Sequence, residues 1–374
     1  MKVIYLTTES YYQEPIIKSQ VAPLLDYLSK ENIDFTLVTF EKQKSFTDFK
    51  NFHHLQYKFR GHLLNMLYLI FYTFKISEKA DIIHVRSYPP MLAALVLKLI
   101  KGNKIIFDPR GLWPEEMSYS VNRPFITYVF KLLEKLFCKF SNRIVLVSNS
   151  FEAVFIERYP FYKNKFCVIP TFSLPLISDN SSNVLDLKNN IFNNNDSILF
   201  VYSGSFESWQ KIEIVVEYFQ FMEMNLESSR FLFLTKAKNQ FENYLKDKLS
   251  DNKYFIYSAN QMNISSYLSQ CDYGVIFRDN HIINKVSAPI KIKDYLTSNL
   301  RVLLSDNIGD SSVLINLNQL GFVFSDYSNK TMEDSLKYIK SINYRNHYIT
   351  NSEILERFSL KSVANQYKII YNEL

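Results

Sequence analysis

Glycine is scarce in this chain, and the scarcity excludes one class of nucleotide-binding protein. Only 7 of the 374 residues are glycine. A dinucleotide-binding loop of the dehydrogenase type needs the spacing Gly-x-Gly-x-x-Gly directly after a strand. That spacing does not occur, which argues against an NAD-dependent dehydrogenase. Any phosphate site must instead use helix N-termini together with Lys or Arg side chains.

Cysteine is rare, and neither a metal-ligand motif nor an export signal is recognisable. The three cysteines form neither a Cys-x-x-Cys pair nor a disulfide framework, which favours a reducing compartment. The N-terminus MKVIYLTTES resembles no secretory leader, so we expect a cytoplasmic protein. No Asp-x-Asp motif and no His-rich ligand set is present, so we expect neither a metal nor another cofactor.

Long hydrophobic runs are absent, although the first half of the chain is basic. The most apolar stretch, residues 63–74, is 12 residues long, whereas a helix needs about 20 to cross a bilayer. Residues 1–180 contain 23 Lys and Arg against 16 Asp and Glu. Lys131, Lys135 and Lys139 recur at helical spacing within an apolar segment, a pattern that suits either an anionic membrane surface or a solvated helix face. The modest excess of positive charge argues against nucleic-acid binding.

The order of apolar runs predicts two doubly wound α/β domains of parallel strands that face a cleft. Short β-branched runs alternate with longer helix-like segments throughout the chain. We expect an N-terminal domain over residues 1–172, a polar linker over 173–195, a C-terminal domain over 196–352 and a final helical segment over 353–374. Six strands are expected in each domain. Ligands of such sheets bind beyond the carboxyl ends of the strands.

In the second domain, the first strand is followed by residue types that suit an anion. Gly204 and Ser205 follow the strand SILFVYS, and Lys211 stands before a helix-like segment. Backbone N–H groups and the Lys side chain could face a phosphate there. Alternatively, these residues form a tight turn that is followed by a solvent-exposed Lys.

The segment SAPIKIKDYL carries a stronger pattern in the same domain. Ser287 is expected to cap a helix and Pro289 to occupy its first turn. Lys291 and Asp294 then share one helix face, where they could contact a diphosphate and ribose hydroxyls, and Lys293 is expected on a solvated face. The alternative is a capped helix with an ion pair.

In the first domain, charged residues follow two strands. Asp108, Arg110 and Glu115 come after the strand NKIIF, and the strand before it ends in His84 and Arg86. Alternation sends His84 and Arg86 to the same side of the sheet. His84, Asp108, Arg110 and Glu115 are therefore candidate catalytic residues. Asp108 could alternatively pair with Arg110, and His84 could be a hydrogen-bonded structural residue.

Six motifs follow one another along the chain: DIIHVRSYPP, IIFDPRGLWPEE, RIVLVSNS, VIPTF, VYSGS and SAPIKIKDYL. In this order they resemble glycosyltransferase family 4, and the similarity covers nearly the whole chain. The segments SQVAPLLDYLSK and FTLVTFE resemble a branch of that family in bacterial surface-polysaccharide pathways.

The resemblance implies a GT-B fold and a retaining, metal-independent transfer of sugar from a nucleotide-sugar, UDP- or GDP-linked. It places Gly204 and Lys211 at the donor diphosphate, Lys291 at the phosphates and Asp294 at the ribose. Ser205 stands where the family often has a phosphate-binding Arg. The first domain would bind a saccharide or polyprenyl-pyrophosphate-linked acceptor.

For the first domain, the resemblance puts Asp108 where many relatives have a catalytic His, with Arg110 and Glu115 near the transferred sugar. Val286 replaces the first Glu of the family's paired-Glu motif, and Asp294 replaces the usual second Glu. Two other functions stay open. One is a nucleotide-sugar epimerase, and the other is a non-catalytic membrane-attached glycan-binding protein.

Overall fold

The chain forms two compact units in the computed structural model. This structure describes residues 1–13, 16–41, 52–57, 62–77, 80–120, 124–174, 186–192, 196–258, 264–342 and 352–374. The first unit comprises Met1–Phe172 and Leu360–Leu374, and the second comprises Ser173–Ser359. Most of the linker expected at residues 173–195 lies outside the described residues.

The first unit is built on a seven-stranded parallel sheet. Its strands are ordered β3-β2-β1-β4-β5-β6-β7. The order reverses direction between β1 and β4, so loops separate there at the carboxyl ends of the strands and leave room for a ligand. The strands are β1 (Lys2–Leu6), β2 (Asp34–Glu41), β3 (Phe52–Gln56), β4 (Ile82–Arg86), β5 (Lys104–Asp108), β6 (Arg143–Leu146) and β7 (Phe166–Val168).

Strand β3 was not expected from the sequence. It lies at the edge of the sheet and pairs only with β2 among the described strands. Its sequence, FHHLQ, contains two histidines, and its burial is partial at most positions. A strand that is not buried on both faces lacks the continuous apolar run by which the other strands could be recognised.

Helices cover both faces of the first sheet. Right-handed crossovers that run from β3 to β4, from β4 to β5 and from β5 to β6 place three long helices on one face, and the crossover from β1 to β2 uses the opposite face. The helices are α1 (Ala22–Ser29), α2 (His62–Ile76), α3 (Met91–Lys101), α4 (Trp113–Ser120), α5 (Pro124–Phe140) and α6 (Asn149–Arg158).

The second unit has a six-stranded parallel sheet in the order β10-β9-β8-β11-β12-β13. Its direction reverses between β8 and β11. All six strands were expected. They are β8 (Ile198–Ser203), β9 (Ser229–Leu234), β10 (Tyr254–Tyr257), β11 (Tyr273–Ile276), β12 (Arg301–Ser305) and β13 (Gly321–Phe324).

The second sheet is also covered on both faces, by two separate groups of buried apolar side chains. Aromatic rings dominate one of them, where Phe219 stacks on Phe231 with ring centroids 4.5 Å apart. The helices are α7 (Ile212–Asn225), α8 (Lys238–Leu245), α9 (Ile264–Leu268), α10 (Ile282–Lys285), α11 (Ile290–Thr297), α12 (Ser311–Leu317), α13 (Asn329–Ser341) and α14 (Ser352–Arg357).

The last helix, α15 (Leu360–Asn372), belongs to the first unit, where it contacts α1. Its buried face includes Tyr367 and Tyr371. The prediction of two doubly wound parallel-sheet domains is confirmed by the two strand orders. Across the described ranges, no helix has the length and hydropathy that crossing a membrane would require.

Candidate functional site

Two clusters of charged side chains lie at the carboxyl ends of the strands, one in each unit. In the second unit, the cluster forms where β8 and β11 diverge. Gly204 follows β8, and a Cβ atom at this position would lie 2.5 Å from Lys291 Nζ and 2.6 Å from the Tyr202 hydroxyl. Glycine is therefore required for the Lys291 ammonium to approach the backbone so closely. Two of the three residues expected at the donor phosphates, Gly204 and Lys291, are therefore brought together.

Lys291 projects from the first turn of α11 into a largely buried position. Its Nζ donates a hydrogen bond to Gln210 Oε1 over 3.2 Å and lies 5.6 Å from the centre of the Tyr202 ring. Burial and, to a smaller extent, the positive charge of Arg278 lower the pKa of Lys291 to about 7, although Asp294 acts in the opposite direction. The protein holds an ammonium group here at a cost in solvation, as a site for an anion would.

Arg278 is a second cation of this cluster, and the sequence analysis missed it. It lies just beyond β11, and its Nη1 donates to Asn284 Oδ1 over 3.2 Å. Burial lowers its pKa. Within the described part of the chain, neither Arg278 nor Lys291 has a carboxylate within salt-bridge distance, and Arg278 Nε has no hydrogen-bond partner. The rule applied to Asp108, that charged residues directly after buried strands merit attention, would have found Arg278.

Lys211 and Ser205 differ from this pair. Lys211 has a left-handed backbone, with φ 47°, and caps the start of α7. Its Nζ lies 2.7 Å from Asp279 Oδ1, so a carboxylate offsets its charge. Ser205 is exposed, and its carbonyl accepts a hydrogen bond from the Tyr202 hydroxyl over 2.9 Å. The donor contacts expected of these residues stay predictions.

The prediction that Ser287 caps α11 and that Pro289 lies in its first turn is wrong. The helix begins at Ile290, and Pro289 has an extended backbone before it, with φ −61° and ψ 126°. The Ser287 hydroxyl donates to the Asn284 carbonyl over 2.8 Å and so completes the end of α10. The proline ring disfavours helical geometry at the preceding residue, Ala288, which keeps Ser287 outside α11.

Lys293 and Asp294 are also more enclosed than the sequence indicates. Lys293 was expected on a solvated face, but it is buried, with Nζ 5.2 Å from the Phe358 ring centre. Asp294 accepts a hydrogen bond from the Ser173 hydroxyl over 2.7 Å. Burial raises the pKa of Asp294 to about 6, against the effect of this hydrogen bond.

In the first unit, Asp108 ends β5 and lies fully buried beside three charged or titratable side chains. Arg110, whose φ is 66°, brings Nη1 to 3.4 Å from both carboxylate oxygens. His84 Nε2 lies 3.8 Å from Oδ2, too far for a hydrogen bond. Burial alone would raise the pKa of Asp108, but Arg110, His84 and Arg86 together lower it, so the carboxylate is charged at neutral pH.

Every member of this first cluster has a partner. Arg86 Nε donates to Glu9 Oε2 over 3.0 Å. His84 Nδ1 lies 2.5 Å from the Tyr371 hydroxyl, which α15 supplies, and burial lowers the pKa of His84. As alternation predicts, His84 and Arg86 both influence Asp108. His84 and Asp108 have no exposed surface, whereas Arg110 and Glu9 reach solvent.

Glu115 is placed among helices of the first unit. Its carboxylate lies 2.9 Å from Lys131 Nζ on α5 and 2.9 Å from Arg158 Nη2 on α6. The nearby Glu134 is buried and accepts hydrogen bonds from Tyr88 and Tyr159. These contacts explain Glu115 as a link between helices, and its expected place near the transferred sugar stays a prediction.

The first unit matches a known family in sequence. The model of Glycosyltransferase Family 4 matches residues 18–172. Over these residues the chain is similar to family 4 glycosyltransferases. No curated protein sequence matches the chain at a significant level.

Solved structures resemble the chain along its whole length. A glycosyltransferase from Rickettsia africae is 16% identical, with 100% of this chain and 98% of that chain covered and a TM-score of 0.74. Sucrose-phosphate synthase from Thermosynechococcus elongatus is 12% identical, with 100% and 98% covered and a TM-score of 0.73. Anabaena HepE in complex with UDP and glucose is 13% identical, with both chains fully covered and a TM-score of 0.70. At these identities the likeness establishes the fold, which is GT-B as predicted.

The acidic and cysteine side chains do not gather into a metal site within the described ranges. No group of three or more His, Cys, Asp or Glu side chains is placed to hold a metal ion there.

Proposed function

We propose that this enzyme is a retaining, metal-independent glycosyltransferase that uses a nucleotide-sugar, UDP- or GDP-linked. The observation that carries the proposal is the pair of cations Lys291 and Arg278, which have no carboxylate within salt-bridge distance among the described residues. A diphosphate supplies the negative charge that this pair lacks. Cleavage of the anomeric bond places further charge on the departing diphosphate, and fixed cations stabilise it most at that stage.

The second unit would hold the donor through several contacts. Lys291 binds a phosphate oxygen beside the Gly204 backbone, and Gln210 fixes the direction of its ammonium group. Arg278 offers Nε to the same charge. Asp294, about one turn after Lys291 on α11, is the acceptor proposed for ribose hydroxyls, although its hydrogen bond with Ser173 must then be shared.

The first unit would contribute through Arg110. Its side chain is partly exposed, whereas Asp108 and His84 are buried. We therefore assign Asp108 a positioning role: it holds Arg110, which in turn contacts the transferred sugar or the acceptor. The left-handed backbone of Arg110 fits a residue held in an uncommon geometry for function.

The acceptor is proposed to be a saccharide or a polyprenyl-pyrophosphate-linked glycan of a bacterial surface-polysaccharide pathway, handled in the cytoplasm. Support for this acceptor comes from the sequence motifs described above, whereas the HepE complex, which contains UDP and glucose, supports a UDP-linked donor. Three free cysteines, two of them buried, fit a reducing compartment.

Binding and turnover can be tested with nucleotide-sugars alone. We expect UDP-glucose or GDP-mannose to raise the melting temperature in a thermal-shift assay, because a ligand bound only by the folded state stabilises it. Binding should persist in EDTA. Loss of binding in EDTA that Mg²⁺ or Mn²⁺ restores would contradict the metal-independent mechanism.

The same materials separate the alternatives. Incubation with donor and a mixture of lipid-linked saccharides should yield a glycosylated product and free nucleoside diphosphate. Formation of an epimeric nucleotide-sugar from donor alone would instead identify an epimerase. If neither UDP-glucose nor GDP-mannose binds, the proposed function is contradicted.

A further inference from the structure

Apolar side chains are exposed in one region of the first unit far more than elsewhere. Of the 25 large apolar side chains exposed among the described residues, 13 lie on the three helices α2, α3 and α5. Only four lie in the second unit. On α5, Phe125 and Leu132 are exposed, and on α2, Leu67 and Phe71. Exposed apolar groups on a soluble domain usually mark a contact surface when they are contiguous.

These helices are neighbours on one face of the sheet. Helix α3 contacts both α2 and α5. Lys101 at the end of α3 joins the first pair, because its Nζ donates to the Phe74 carbonyl over 2.7 Å and lies 4.0 Å from the Phe74 ring centre. We call the outward faces of these three helices the α2–α3–α5 surface. The exposed apolar groups therefore share one side of the unit.

The charge of this surface has a single sign. Lysines are present on all three helices, among them Lys75 on α2, Lys101 on α3, and Lys135 and Lys139 on α5. Helices α2 and α3 contain no Asp or Glu. The one acidic residue of α5, Glu134, is fully buried. The surface thus presents apolar groups and ammonium groups with no exposed carboxylate on its helices.

Apolar residues mixed with lysines suit the interface of a lipid bilayer. Apolar side chains enter the boundary between headgroups and acyl chains, and lysines contact the phosphates of anionic lipids. A second copy of the chain fits less well, because a two-fold interface would bring lysines against lysines. We propose that the α2–α3–α5 surface docks this enzyme on a bilayer that contains anionic phospholipids. The inference concerns a surface separate from the donor cluster, and it is tested without activity.

Vesicle binding by the full chain tests the proposal. We expect the protein to co-sediment with phosphatidylcholine vesicles that contain phosphatidylglycerol, and to bind vesicles of phosphatidylcholine alone more weakly. Added salt should weaken the binding to the anionic vesicles. Failure to bind anionic vesicles at low salt, or equal binding to both kinds, would overturn the proposal.

Matched variants locate the binding surface. Phe71→Ser with Leu132→Ser removes side chains that are 68% and 50% exposed, and the control, Met224→Ser with Leu317→Ser in the second unit, removes side chains that are 77% and 78% exposed. We expect the first pair to lower vesicle affinity about tenfold or more. The control should leave it unchanged. Equal losses in both double variants would overturn the assignment.

The lysines are tested in the same way. Lys135→Gln with Lys139→Gln should lower affinity for anionic vesicles by about fivefold per lysine, because each lysine near an anionic surface contributes to binding. Lys330→Gln with Lys340→Gln, which changes two exposed lysines of α13, is the control. An equal loss in the control pair would show that net charge, rather than this surface, is responsible, and would overturn the proposal.

Sedimentation velocity without lipid tests the alternative that a second copy of the chain covers the α2–α3–α5 surface. We expect a monomer at the concentration used for vesicle binding. A stable dimer that Phe71→Ser and Leu132→Ser dissociate would show that a second copy covers the surface, and would overturn the proposal.

Discussion

The two charged clusters differ in how their charges are balanced. In the first unit, Arg86 faces Glu9, and Arg110 lies beside Asp108. In the second unit, Lys291 and Arg278 lie near each other with no carboxylate at salt-bridge distance in the described structure. Both clusters lie at the carboxyl ends of strands, close to the place where the strand order reverses.

The charges of the first cluster are balanced within the protein, whereas the cations of the second cluster can be balanced by an anionic ligand. Buried charges that pair with each other contribute to folding and to the orientation of side chains, and they need nothing from solution. Uncompensated cations destabilise the free protein and regain that free energy when an anion binds. The comparison predicts that substitutions in the first cluster change stability most, and that those in the second change donor affinity most.

The largest effect is expected for Asp108→Asn in the first unit. Removing the carboxylate leaves Arg110 and Arg86 with less negative charge nearby, which should lower the free energy of unfolding by about 3 kcal/mol. Transfer should also slow through misplacement of Arg110, with donor affinity unchanged. Urea denaturation, donor titration and single-turnover rates measure the three quantities.

Asp272→Asn in the second unit is the matched control for this variant. Burial raises the pKa of Asp272, so its charged form is disfavoured and its loss should cost less. Unchanged stability in Asp108→Asn would contradict the description of the first cluster. Unchanged turnover in a destabilised variant would remove Asp108 from the mechanism.

Lys291→Ala should have the next largest effect, and it acts on the donor. A charge-assisted hydrogen bond to phosphate contributes about 1.5–3 kcal/mol, so we expect the Kd for UDP or the donor sugar to rise tenfold or more. Isothermal titration calorimetry measures it. The variant should be no less stable than the wild type, because a poorly solvated cation is removed. Normal donor affinity in a folded variant would contradict the assigned role.

The pH dependence of donor binding should follow from the same lysine. In the free protein its pKa is about 7, below the ordinary 10.5. Above pH 7 the side chain loses its proton and must regain it to bind a diphosphate, so Kd should rise by up to about tenfold per pH unit. The unfolded chain binds more protons between the two pKa values, so the free protein should gain stability with rising pH in that window. Lys291→Arg should flatten the binding curve, and a flat wild-type curve would refute this account.

Lys211→Ala should have the smallest effect on donor affinity. Asp279 offsets the charge of Lys211, so its removal should change the Kd less than about fivefold, the range of a partly exposed ion pair. The test is the same titration as for Lys291→Ala. A loss as large as that of Lys291→Ala would show that Lys211 leaves Asp279 to bind the diphosphate, and that the balance of charge in the free protein does not identify the ligand's contacts.

Local sequence patterns predicted much of the architecture, and the elements that they missed or misplaced were missed for physical reasons. Buried parallel strands need continuous apolar runs, so twelve of the thirteen strands could be located. Edge strand β3 is polar and was missed. The start of α11 was misplaced because Ser287 is a residue type that caps helices. In the structure its hydroxyl instead donates to the Asn284 carbonyl at the end of α10, and Pro289 precedes α11.

For the candidate site, the sequence by itself determined which residues follow strands, and hence which share the carboxyl edge of each sheet. Gly204 and Asp108 were found in this way, and Lys291 was found from the helix pattern of SAPIKIKDYL. The tertiary structure alone decided which charges meet: Lys211 is offset by Asp279, whereas Lys291 lies beside Arg278. The reason is that electrostatic energies depend on distances and burial between residues far apart in the chain, and neither quantity is written in the local sequence.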